Sequence, residues 1–235
     1  MAPQAKLAAA FVSVVAVATT PREAVWAFAL HAGVLAVVVA AAELPLGFVL
    51  RRLLVIVPFV GVALLIPFVA GGEQVEVLGV GLSREGLWGA WNVLAKAGLG
   101  ASISIVVAGT TEEARILEGL ERLRVPTTLT LIAGFMLRYL VLIAEELRRA
   151  RTAMLARGWV PRWLGDARPA ASAAGVVFVR SYERGERVHA AMLSRGFTGT
   201  MPELDTHVTS GTDWVLGMGV ATAAAATAVV AVVTT

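Results

Sequence analysis

The chain of 235 residues has no cysteine. That excludes disulfides, thiolate metal sites and cysteine nucleophiles together. Charge is scarce as well, at 16% of residues against roughly 25% in ordinary soluble domains. No G-x-x-x-x-G-K run is present, so a nucleotide-binding P-loop is excluded. The histidines, His31, His189 and His207, are too scattered for a zinc-ligand spacing. What fills the chain instead is apolar: 57% of residues are hydrophobic and the mean hydropathy is +0.77. So little charge cannot cover the exterior of a soluble domain, and the bulk of the chain is expected in lipid.

The charges are unevenly placed. Between Glu112 and Gly211 lie 14 of the 20 basic residues, all arginine, and 11 of the 17 acids. The rest is apolar and charge-balanced, so the net charge of +3 gives no reason to expect nucleic acid. Apolar stretches run over Leu7–Thr20, Ala24–Ala42, Leu53–Ala70, Leu87–Gly109, Leu129–Ala144 and Trp214–Val233. About 20 helical residues cross a bilayer core, and the runs lack the alternation of a lipid-facing barrel. The expectation is an all-α integral membrane protein with about five transmembrane helices and a cytoplasmic or interfacial amphipathic helical domain. In residues, this gives a membrane domain of about four spans over 1–110, a coupling domain over 111–211 and a last transmembrane helix over 212–235.

Lys6 before an apolar run and Ala16-Val17-Ala18 also fit a secretory signal with a cleavage site. A second apolar stretch begins within six residues of Ala18, which favours a short first span. Placing Lys6 in the cytoplasm also places Arg51, Arg52 and the Arg-rich insert there, as the positive-inside tendency requires. The N-terminus is then inside and the C-terminus outside. Leu129–Ala144 has Arg-rich flanks on both sides and Arg138 within it. It is expected to lie at the interface or under protein rather than to cross.

Within the insert, spacing predicts helices over Glu112–Arg124, Thr127–Arg157 and Ala170–Arg195. They carry i,i+4 pairs Glu118–Arg122, Glu145–Arg149 and Glu183–Arg187. A repeat stands out there. Ala153-Met154-Leu155-Ala156-Arg157-Gly158-Trp159 matches Ala191-Met192-Leu193-Ser194-Arg195-Gly196-Phe197. Glycine just past a helix end serves as a C-cap, and arginine in the last turn suits the helix dipole. Capping alone leaves the length of the match unexplained. The repeat suggests two equivalent arginine-tipped ends offered to a two-fold partner.

With these residues, the chain resembles the transmembrane T component of energy-coupling factor (ECF) transporters, the CbiQ/EcfT family, and is most similar to its cobalt-transport CbiQ branch. The resemblance covers nearly the whole chain. It rests on Pro3–Leu7, Arg51-Arg52-Leu53-Leu54, Gly109-Thr110-Thr111, Leu120–Pro126, Phe135-Met136-Leu137-Arg138-Tyr139-Leu140 with Glu145-Glu146, and both Ala/Ser-Arg-Gly motifs. The run Ser194–Thr200 continuing into Met201-Pro202 is the part most like the CbiQ branch.

The resemblance implies a non-catalytic scaffold in a bacterial or archaeal cytoplasmic membrane. Its implied partners are two ECF-type ATPase subunits and a substrate-binding S component, CbiM-like with a CbiN-like subunit if the substrate is cobalt. Ala156-Arg157-Gly158 and Ser194-Arg195-Gly196 are implied to contact the ATPases, each arginine in a groove against an acidic residue. Arg138, Glu145 and Glu146 are implied to support the coupling domain. No cofactor or metal is expected on this chain, ATP being bound by the partners. Nickel, biotin or a shared vitamin system would use nearly the same component. A membrane-embedded enzyme is the alternative from another class, and the adjacent carboxylates Glu112-Glu113 and Glu145-Glu146 point different ways on a helix.

Overall fold

The protein is described by a computed structural model over residues 1–71, 74–77, 80–160, 163, 167–200 and 211–234. Met201, Pro202 and His207 lie outside the described residues. The chain divides into two compact units, Met1–Leu123 with Val208–Thr235, and Arg124–His207.

In the first unit the apolar runs become helices: α1 (Pro3–Thr19), α2 (Val25–Ala41), α3 (Leu46–Arg52), α4 (Val57–Val69), α5 (Arg84–Thr110), α6 (Glu113–Arg122) and α9 (Gly211–Thr234). A 3-10 turn at Leu53–Ile56 joins α3 to α4. Pro58 explains it: proline lacks the N–H that Leu54 would accept in a regular helix, and its ring crowds that carbonyl. Between α4 and α5 lies an antiparallel hairpin, β1 (Gln74–Val77) with β2 (Val80–Ser83), in register Gln74↔Ser83 and Val77↔Val80. The all-α expectation holds for every apolar run, and this short ribbon is an addition to it. Ser83 ends the ribbon and starts α5. Its hydroxyl donates to Gly71 O at 3.0 Å and accepts from Gly86 N at 3.2 Å, an N-cap.

Packing in this unit relies on small residues, as expected where lipid supplies no hydrophobic drive between helices. Ala16, Ala224 and Ala228 form one cluster of α1 and α9, and Ala24, Ala27 and Ala231 form another. Helix α6 is seated on the start of α1. A Cβ on Gly119 would stand 2.9 Å from Leu7 Cδ1 and 3.1 Å from Gln4 N. The side chains facing away are large and bare, Leu64, Leu65 and Phe68 on α4 being 63–64% exposed. In water such a surface would aggregate; in a bilayer it is the lipid face.

Helices α1 and α5 are tied at both ends by lysines, and the pairing makes them antiparallel. Lys6 Nζ donates to Thr110 O at 3.0 Å, and Lys96 Nζ donates to Ala18 O at 2.7 Å. Each ammonium caps the carbonyl end of the other helix, where the dipole is negative. Lys96→Met keeps the stem and removes the donor to an exposed helix-end carbonyl, at a cost of about 0.5–1.5 kcal/mol. The expected result is a lower thermal midpoint in detergent with unchanged capture of partner subunits. An unchanged midpoint would show that the bond has no structural weight.

The second unit contains α7 (Thr127–Ala156) and α8 (Arg168–Leu193). Their ends fall within two residues of the sequence expectation. Four helical segments are long and apolar enough to cross a membrane: Gly47–Val69, Arg84–Thr110, Thr127–Ala156 and Gly211–Thr234. Pro3–Thr19 and Val25–Ala41 are shorter apolar helices of 17 residues, about 26 Å long. The protein is therefore a multi-pass membrane protein. The short stretch Leu129–Ala144 proves to be the first half of a continuous 30-residue helix, which has the length of a span.

Candidate functional site

The two copies of the repeat fold into the same object. At the end of α7, Gly158 N donates to Leu155 O at 3.0 Å and Trp159 N to Met154 O at 3.0 Å. At the end of α8, Gly196 N donates to Leu193 O at 3.0 Å and Phe197 N to Met192 O at 3.0 Å. Both are Schellman caps, with the 5→2 and 6→1 bonds closing the last turn. Gly158 and Gly196 have φ of +80° and +82°, the left-handed conformation that a Cβ penalises.

Burial repeats as well. Met154 and Trp159 are half-buried while Ala153, Leu155, Ala156, Arg157 and Gly158 are exposed; Met192 and Phe197 are half-buried while the five equivalent residues are exposed. The apolar residue after a Schellman glycine commonly packs back on the third residue from the helix end. That accounts for methionine and the aromatic in both copies.

Capping thus explains Met, Gly and Trp/Phe, and it leaves arginine unexplained. Arg157 is the C-cap of α7 and Arg195 follows the C-cap Ser194 of α8, and each directly precedes its left-handed glycine, a place that a wide range of residues can fill. Neither has an acidic partner within ion-pair reach among the described residues. Each is an exposed guanidinium on a rigid, well-formed helix end. A guanidinium offers five donors in a fixed fork that matches a carboxylate bidentately.

The remaining sequence-selected residues lie further up α7. Arg138 is exposed and has no ion pair among the described residues. Phe135 and Tyr139 stack beside it in sequence, with centroids 6.4 Å apart. Glu145 pairs along the helix with Arg149 at 3.4 Å. Glu146 reaches to α8, where Arg184 Nη2 donates to its Oε1 at 2.7 Å. The local pairs Glu118–Arg122 and Glu183–Arg187 form at 2.6 and 3.9 Å.

Arg184 was not among the residues singled out from sequence, although a signal for it was present. The offset of 38 residues that relates the two caps extends upstream. It maps Glu145 and Arg149 onto Glu183 and Arg187, and Glu146 onto Arg184. Identity fades over that stretch, so the pairing shows only once the register is set by the caps.

The apolar unit encloses a cavity of about 600 Å³ bounded by α1, α2, α5 and α9. Its walls are mostly Val, Leu, Ile and Ala, with Lys6, Ser13, His31 and Thr110 among the polar exceptions. His31 is buried and lies 3.3 Å from Thr20 Oγ1, whose proton is given to Ala16 O at 2.8 Å. The contact ties His31 Nε2 into the α1–α2 joint. Among the described residues no three of His, Asp or Glu converge as a metal would require.

Long apolar helices define a multi-pass membrane protein, and the second unit adds a paired set of matched helix ends. Comparison with known proteins makes the assignment specific. The cobalt transport protein model, CbiQ, matches residues 1–208, and the chain belongs to that family. It is 31% identical over 170 residues to the cobalt transport protein CbiQ of Rhodobacter capsulatus, covering 71% of this chain and 62% of that one. It is 25% identical over 175 residues to an uncharacterized protein of Methanocaldococcus jannaschii, covering 69% and 59% respectively. The chain thus matches about three-fifths of the length of these relatives.

Proposed function

We propose that this chain is the transmembrane scaffold of an ECF-type importer, joining two cytoplasmic ATPase subunits to a substrate-binding membrane subunit. The observation that carries the reading is the pair of matched caps. Two matched helix ends, each presenting an arginine without an acidic partner among the described residues, suit a partner that is itself two-fold. A closing ATPase dimer would draw the two ends together, and α7 and α8 would transmit that movement to the membrane subunit. The second unit has apolar surface suited to such a neighbour, with Val176, Phe178, Val179 and Tyr182 on α8 all more than half exposed. ATP would be held by the ATPases and not by this chain. The N-terminus and the second unit's charged helix ends are placed in the cytoplasm, with the C-terminus outside, as the arginine distribution favours.

Cobalt(II) is the proposed substrate, supported by the family and by the name of the Rhodobacter relative. Its ligands would come from the substrate-binding subunit, as no donor set converges among the described residues of this chain. Expression with that subunit and the ATPases in a cobalt-uptake-deficient strain is expected to restore ATP-dependent cobalt accumulation. Restoration of nickel or vitamin uptake alone would reassign the substrate. No uptake with any subunit set would remove the scaffold reading.

A further inference from the structure

Glu146 and Arg184 occupy equivalent positions in the two repeats. They are 38 residues apart, the same offset that relates Arg157 to Arg195, so each stands 11 residues before the arginine of its own cap. Both intervening stretches are helix up to the cap, so each arm is about 16 Å long. The bond therefore joins two helices at corresponding points, equally far from their tips.

The pair is also better shielded than its neighbours. Arg184 and Glu146 side chains are 25% and 14% exposed, against 64% and 50% for Arg149 and Glu145. The charges of Arg180 and Arg149 act on the same carboxylate. The second carboxylate oxygen, Oε2, is buried without a hydrogen bond, so the hydrogen bonding of the Glu146 carboxylate to α8 passes through Arg184. Among the described residues this is the one ion pair that links α7 to α8.

We propose that Glu146 and Arg184 are positioning residues that form an equal-arm pivot between α7 and α8 and so fix the separation of Arg157 and Arg195. The role rests on the scaffold reading, which gives that separation its use. With arms of about 16 Å, a ten-degree change in the angle at the pivot moves the tips apart or together by about 2–3 Å. Equal arms move both tips by the same amount, as a two-fold partner requires. A bond between non-equivalent positions would move one tip further than the other.

The absence of native cysteine allows a direct test on the full chain in lipid nanodiscs. Ala153→Cys and Ala191→Cys, equivalent and exposed, carry nitroxides, and pulsed EPR reads the distance between them. The parent should give one narrow distribution. Glu146→Arg, which faces Arg180, Arg184 and Arg149 with a fourth positive charge, should broaden or shift it by several ångströms, and Arg184→Glu should do the same. Combining the two should restore most of the parent distribution, which a general loss of packing would not allow. An unchanged distribution in either single variant, or a combined variant as broad as the singles, overturns the pivot. If the reversed variants do not fold, Glu146→Gln removes only the charge. A graded broadening then supports the pivot and a parent-like distribution overturns it. ATPase capture by the same variants is a separate readout. A chain that captures no ATPase in any form contradicts the scaffold reading, while the distances still decide the pivot.

Discussion

Arg157→Glu combined with Arg195→Glu is expected to abolish capture of the ATPase subunits while the chain still folds and inserts. Each arginine is exposed at a cap whose 5→2 and 6→1 bonds are made by backbone, so the helix end does not depend on the arginine side chain. The intrinsic loss is the favourable interaction of a cation with the helix dipole, about 0.3–1 kcal/mol. The loss at the interface is larger. Removing one partner of a desolvated, hydrogen-bonded ion pair costs about 2–5 kcal/mol, and a glutamate facing a carboxylate adds repulsion. A cost of about 3 kcal/mol corresponds to about a hundredfold weaker binding per site. Each single variant should therefore retain weakened capture, and the double variant none above background. Co-purification from co-expressing cells checks this, with thermal unfolding of the isolated chain as the control for folding. Equal capture by parent and double variant would remove the arginines from the interface.

Gly86→Leu should have the largest effect on stability. Helices α4 and α5 approach most closely at this residue. A Cβ there would stand 2.6 Å from Pro67 Cα, 3.0 Å from Ile66 O and 3.1 Å from Ala70 Cβ. Two of the three obstacles are backbone, so the clash cannot be relieved by turning a side chain, and α4 has to move. Overpacking costs about 1–3 kcal/mol and occasionally more, and the upper end applies here. For a chain of this size that is a fall of about 6–12 °C in thermal midpoint. Gly98→Ala on the same helix is the control, since nothing lies within 4 Å of its would-be Cβ. It should be neutral or slightly stabilising through helix propensity.

What the sequence revealed and what it hid follow from the range of the interactions involved. The helices α6, α7 and α8 were legible to within two residues because their ends are set locally, by Pro126 before α7 and by the Gly158 and Gly196 caps. The repeat was legible for the same reason, since a Schellman cap is encoded by neighbours in sequence. The hairpin at 74–83 was missed because its strands of four residues are too short for alternation to register. The Lys96–Ala18 and Lys6–Thr110 bonds connect residues 78 and 104 positions apart, and no local pattern announces them. Charge placed a boundary at 110/111, whereas packing groups α6 with α1 and the membrane helices. The reason is the seat of Gly119 on Pro3, Gln4 and Leu7, which charge counting does not see. In the candidate site the caps could be read and Glu146–Arg184 could not, because the repeat decays before reaching that pair.

In the proposed scaffold both arginine-tipped caps touch ATPase. Because the parent has no cysteine, Ala156→Cys and Ser194→Cys each introduce a single thiol beside the arginine of one cap. A short photo-crosslinker on each thiol, used in membranes holding the assembled complex, reports the nearest protein directly. Both positions are expected to cross-link to ATPase subunits, and ATP is expected to change the yield at both together. Cross-links from either position only to lipid or to the substrate-binding subunit would contradict it.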